Sequence, residues 1–164
     1  GLPREFTYNM TVLAFTLLVS ASSFANDADD AAAKMHEYFA VFNEKDVIKV
    51  AHEIYATPVQ VGGVPHRIYA DPDEAIDSLT GLYPLLESQG WVESRILDTE
   101  VCIASANLAF VDTRFSRLDR NGGEIAPAIR RSLYVLQKRE NEWRIVAFYG
   151  HDADVVPTCN REMT

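Results

Sequence analysis

The sequence predicts an α+β fold: three N-terminal helices packed on the concave face of a curved antiparallel β-sheet, a cone with one open end. Three observations predict it. Apolar residues recur at helical spacing at Met35, Tyr38, Phe39 and Phe42, and again at Ile76, Leu79, Tyr83 and Leu86. From Trp91 onward the pattern changes to alternation over four long segments. Between these halves stands Asp71-Pro72-Asp73-Glu74, an Asp cap followed by a first-turn proline and acids, all of which favour a helix start. A chain of 164 residues fits one domain and is long enough to bury a continuous core.

The elements follow in chain order. Thr11 to Val19 is an uncharged apolar run, and Ser20 to Ala25 supplies small residues, the layout of a secretory signal cleaved after Ala25. The run is too short to span a bilayer as a helix, which needs about 20 residues. Arg4 is offset by Glu5, and a start at Met10 leaves no positive charge ahead of the run, so an undocked or membrane-associated segment is the other reading. Export to the periplasm or outside is expected if residues 11–25 are a signal, and a cytoplasmic location otherwise. Residues 26–30 read as an acidic linker, 31–155 as the domain and 156–164 as a tail.

Within the domain, Asn43 closes the first helix and Asp46 caps a second, whose inward positions are Val47, Val50, Ala51 and Ile54. Thr57 to Val61 and Val64 to Tyr69 form a short edge hairpin about Gly62-Gly63. The third helix runs from Asp71 to Gly90, where glycine supplies a left-handed cap. Strands are expected over Val92–Ala104, Ala106–Leu118, Ile129–Lys138 and Trp143–Tyr149, with turns at Ser105–Asn107, Asn121–Gly123 and Glu140-Asn141. Strands this long twist and curl.

The net charge of −9 is unchanged by removing residues 1–25, since Arg4 and Glu5 cancel. Such a chain repels phosphate backbones and anionic lipid, so neither nucleic acid nor, after signal removal, a membrane is an expected partner. Cys102 and Cys159 form no CxxC pair; they read either as one disulfide clamping the tail to the sheet or as a buried thiol and a free one. No HExxH or HxH pair offers a metal site, no GxSxG elbow offers a nucleophile, and Gly62-Gly63 and Gly122-Gly123 belong to turns rather than phosphate loops. No cofactor and no metal are expected.

Catalysis in a sheltered hollow needs a shielded acid or base. Trp143, Ile145, Ala147, Tyr149 and His151 alternate onto one face, which carries His151 to the mouth or floor of the cone with Asp152 and Asp154 after it. Asp112 and Arg114 share one strand face and form an acid-cation pair either in the pocket or on the outer face. His151 and Asp112 are therefore the catalytic candidates. Tyr55, His66, Tyr69, Tyr83, Arg114 and Tyr149 are candidate ligand contacts, the alternative being wall residues with their polar ends in water. His36 and His52 read as solvated.

The order of elements, with YFAVFNEKDV, DPDEAIDSL, ANLAFVDTRF and LYVLQKRENEWRIVAFYGHD, resembles the nuclear-transport-factor-like (cystatin-like, SnoaL-like) superfamily over about residues 31–155, and most of all its small bacterial members of unknown function. The resemblance implies a conical pocket and homodimerisation through the other sheet face. It also implies two kinds of function. One is binding of a small, mainly apolar molecule, with cofactor-independent isomerase or lyase chemistry by proton transfer. The other is a non-catalytic dimerisation or scaffold module whose cone is filled by Phe39, Phe42, Tyr83 and Phe148.

Overall fold

The computed structural model describes Gly1 and residues 11–159, with side chains from residue 26 onward. The expected signal segment therefore lies outside the described side chains. Among the described residues no helix is long and apolar enough to cross a membrane. Helix α1 (Thr11–Asn43) is continuous, which corrects the expectation of a linker at residues 26–30. A helix needs only one apolar face, and the acid that points inward, Asp27, accepts a hydrogen bond from Lys138 Nζ at 2.5 Å, so its burial is compensated.

The end of α1 is tied to the sheet through Asn43, whose Oδ1 accepts from Ser94 N at 2.8 Å and whose Nδ2 donates to Ser94 O at 2.9 Å. Helix α2 (Val47–Lys49) opens with Asp46 Oδ1 accepting from Lys49 N at 3.0 Å, then widens into a π-helical turn (Val50–Ile54). Helix α3 (Pro72–Ser88) has both ends closed. Asp71 Oδ1 accepts from Glu74 N and Glu74 Oε2 accepts from Ala70 N, while at the other end Trp91 N donates to Leu86 O and Gly90 N to Glu87 O. This last pair requires Gly90 at φ +90°, a conformation that glycine adopts without a side-chain clash.

Six strands form one open sheet in the order β2-β1-β6-β5-β4-β3. They are β1 (Tyr55–Val61), β2 (Arg67–Tyr69), β3 (Glu93–Ser105), β4 (Leu108–Leu118), β5 (Arg130–Arg139) and β6 (Glu142–His151). The four-stranded meander is antiparallel as expected, but β1 runs parallel to β6, so the sheet is mixed. The β5–β6 turn puts Glu140 and Asn141 at φ 52° and 64°, the mirror-image geometry that suits strand twist.

Helix α1 covers the concave face, with the Tyr38 ring against Tyr55 and Tyr134 and the Phe39 ring 5.3 Å from Phe115. Pleat alternation then assigns the other sheet positions, and one irregularity changes the result. Leu136 pairs with Ile145 while its neighbour Val135 pairs with Ala147, so Val146 is an extra residue in β6. Before this bulge Trp143 and Ile145 face the core; after it Phe148 does, and Tyr149 and His151 turn outward. The expected single face from Trp143 to His151 is therefore broken at Val146.

Beyond β6 the chain turns back along the outer face, and Cys159 is bonded to Cys102 with Cα atoms 5.4 Å apart. Of the two readings of the cysteines, the disulfide is the one found. Its sequence separation of 57 residues closes a long loop, so Cys159→Ser is expected to cost about 2–4 kcal/mol of stability. Urea unfolding with and without reductant checks this; a midpoint that reductant does not move in the unsubstituted protein contradicts it.

Candidate functional site

Between α1, α3 and the concave sheet lies a cavity of about 530 Å³. Its apolar walls are aromatic and aliphatic: Phe39 and Phe42 from α1, Leu79 and Leu82 from α3, Phe115 and Phe148 from the sheet. Arg67, Asp77 and Leu85, all exposed, stand at the rim. The polar groups are few and come from distant parts of the chain. Tyr38 and Tyr55 hydroxyls are 3.2 Å apart, Ser78 Oγ donates to Tyr69 Oη at 2.9 Å, and Tyr134, Ser132 and Arg117 complete the sheet side.

Burial pushes the phenols of Tyr38, Tyr55 and Tyr134 well above their ordinary value, and for Tyr38 and Tyr134 the neighbouring phenols add to the shift. Each is thus a neutral hydroxyl at physiological pH. The Tyr38–Tyr55 pair holds two protons and spends one between its oxygens, which leaves one O–H to donate to something else. Burial also pulls the Arg117 guanidinium down from its ordinary value, with Arg130 adding to the effect.

Of the candidate catalytic and ligand-contact residues, Tyr55 and Tyr69 line this cavity and the others do not. Tyr83 is buried behind Phe42, with rings 5.0 Å apart, and donates to the Phe42 carbonyl at 2.7 Å. His66 is exposed in the β1–β2 loop. Tyr149 lies on the outer face over Gly62, where a Cβ would approach its ring to 2.0 Å, so only glycine fits.

Asp112, Arg114 and His151 also lie on the outer face, away from the cavity. Arg114 Nε donates to Asp98 Oδ2 at 2.6 Å rather than pairing with Asp112, because same-face neighbours on one strand are farther apart than residues facing across two strands. Asp112, 2 % exposed, is held by Arg131 at 2.8 Å and by His151 Nε2. The His151 ring also meets the Asp152 carbonyl through Nδ1 at 3.0 Å, and Arg131 Nε donates to Ala153 O at 2.9 Å. This cluster fastens the exit of β6 to the sheet. Its placement corrects the expectation that His151 reaches the mouth or floor of the cone.

Tyr38 was legible only as an apolar-face residue, and Arg117, Ser132 and Tyr134 were not singled out at all. One signal could have found Arg117: it alternates with Thr113 and Phe115, and whichever strand face enters the core carries all three. Among the described residues no cluster of His, Cys, Asp and Glu side chains converges to hold a metal ion.

The family profile described as NTF2-like protein (DUF6841) matches residues 28–153. The chain belongs to this NTF2-like family. No curated protein matches it. Among solved structures, an NTF2-like protein with a cystatin-like fold from Novosphingobium aromaticivorans superposes with a TM-score of 0.69 at 12 % identity, over 85 % of this chain and 90 % of that one. A ketosteroid isomerase-like protein from Erwinia carotovora atroseptica gives a TM-score of 0.55 at 18 % identity, covering 76 % and 94 %. An NTF2-like protein of unknown function from Shewanella oneidensis gives 0.57 at 17 %, covering 76 % and 98 %. At these identities the likeness is one of fold.

Two outcomes follow. Asp112→Ala leaves the buried Arg131 charge without its partner and is expected to cost about 3–5 kcal/mol in urea unfolding, whereas Arg114→Ala at the exposed pair costs under about 1 kcal/mol. Raised phenol values in the folded state mean that Tyr38, Tyr55 and Tyr134 contribute stability that is full below pH 10.0 and lost as pH rises beyond it. A phenolate absorbance titration should show these tyrosines ionising only as the protein unfolds; full ionisation with the fold intact would contradict it.

Proposed function

We propose that this NTF2-like protein binds a small, mainly apolar molecule in the cavity between its helices and the concave sheet. The observation that carries this reading is the cavity's composition, aromatic walls with a few convergent polar groups. Its volume of about 530 Å³ lies within the usual range for small-molecule sites. The scaffold reading needs the cone to be filled. Against it, Phe39, Phe42 and Phe148 line the space rather than close it, and Tyr83 packs behind them.

Binding is better supported than turnover. The free O–H of the Tyr38–Tyr55 pair is a donor suited to a ligand carbonyl or enolate oxygen, and the fold-level likeness to a ketosteroid isomerase-like protein favours that use. A base is harder to supply. Asp77, the lining carboxylate, is exposed at the rim, and His151 and Asp112 belong to the far face. The Cys102–Cys159 disulfide supports placing the protein in an oxidising compartment.

The test is binding of a neutral hydrophobic fluorophore, Nile red, to the full chain. One-to-one binding is expected, and Leu82→Trp, which fills the cavity from α3, should weaken it by about tenfold, or about 1.4 kcal/mol, without lowering the unfolding midpoint. Equal binding by the variant would place the dye elsewhere and defeat the reading.

A further inference from the structure

Arg117 is a cation facing an apolar cavity in a strongly acidic protein. It stands on β4 opposite Ser94 of β3, and both residues line the cavity. Among the described residues its guanidinium has neither a hydrogen-bond partner nor a carboxylate within ion-pair distance. Yet this chain carries 24 Asp and Glu against 15 Lys and Arg. Elsewhere the protein pairs its buried or partly buried charges: Asp112 with Arg131, and Lys138 with Asp27. Arg130 lies on the same concave face, opposite Phe115, but outside the cavity lining, and its guanidinium donates from Nη2 to Ala126 O at 3.0 Å. Withdrawing a guanidinium from water against apolar walls, with no carboxylate within ion-pair distance among the described residues, is unfavourable unless an anion arrives from outside.

From this we infer that the cavity's ligand is an amphipathic carboxylate, its planar head group held by Arg117 and its apolar body against the aromatic walls. The inference rests on the reading of the cavity as a small-molecule site. The fork of the guanidinium matches a carboxylate through two parallel hydrogen bonds, and the low polarity of the walls strengthens them. Ser132 and Tyr134 line the cavity on the adjacent strand, and their hydroxyls are further donors for an oxyanion. Phe39, Phe115 and Phe148 present aromatic surface to a ring or chain beyond it. Arg117 has a specificity role here: it selects an anion over its neutral counterpart.

The test compares 2-naphthaleneacetate with 2-naphthaleneacetamide, matched in shape and differing in charge, by calorimetric titration of the full chain. The carboxylate is expected to bind about tenfold tighter than the amide or more, and Arg117→Gln should abolish that ratio. An unfolding midpoint in urea close to that of the unsubstituted protein shows that the variant keeps its fold. If Arg117→Gln does not fold, Arg117→Lys, which keeps the charge and loses the fork, should give an intermediate ratio. An amide that binds as well as the acid overturns the inference and leaves the cavity reading standing; so does a preference that survives Arg117→Gln. Binding of neither probe overturns the inference, and if Nile red also fails, the reading beneath it falls too.

Discussion

The pleat of the sheet is the constraint on which the arrangement of polar groups depends. Side chains alternate between two faces, one pressed on α1 and the other turned outward, so a shift of a single residue exchanges what the cavity receives. The extra residue at Val146 makes that exchange once in β6. It brings Phe148 under Tyr134, with rings 5.5 Å apart, and sends Tyr149 and His151 outward. A β6 without the bulge would put an imidazole on the side of the hollow that now holds a benzene ring.

The same sorting gives the two faces different electrostatics. On the outer face Asp112, Arg131 and His151 satisfy one another and hold the chain as it leaves β6, so their burial is compensated locally. On the inner face the phenols are neutral, and Arg117 shares the cavity lining with aromatic rings and hydroxyls. Under α1 the inward Asp27 is paired with Lys138, while at the cavity the Arg117 guanidinium has no carboxylate within ion-pair distance among the described residues. This asymmetry distinguishes the cavity chemically.

Much of the architecture was legible. Local signals closed α3 at both ends, since Asp71, Glu74 and Gly90 act through bonds within a few residues. The four long strands and their turns followed from alternation and from residues such as Asn141 that accept positive φ. The parallel pairing of β1 with β6 joins residues some 90 positions apart, and no local preference encodes it. The helical course through residues 26–30 was hidden for a related reason: Asp27 reads as a solvent residue until Lys138 is known to stand above it.

The candidate site was less legible than the fold. Tyr55 and Tyr69 were recognisable as amphipathic residues near the helix-hairpin junction, whereas Arg117 and Tyr134 looked like ordinary members of alternating strands. By itself the sequence determined the kinds and order of elements, the caps that bound them and the acidic, aromatic-rich character of the chain, because these depend on near neighbours. Which strand face meets the helices, where β6 slips by one residue and that Arg117 enters the cavity were decided only by tertiary structure. Those outcomes depend on distances between segments that the backbone must first bring together.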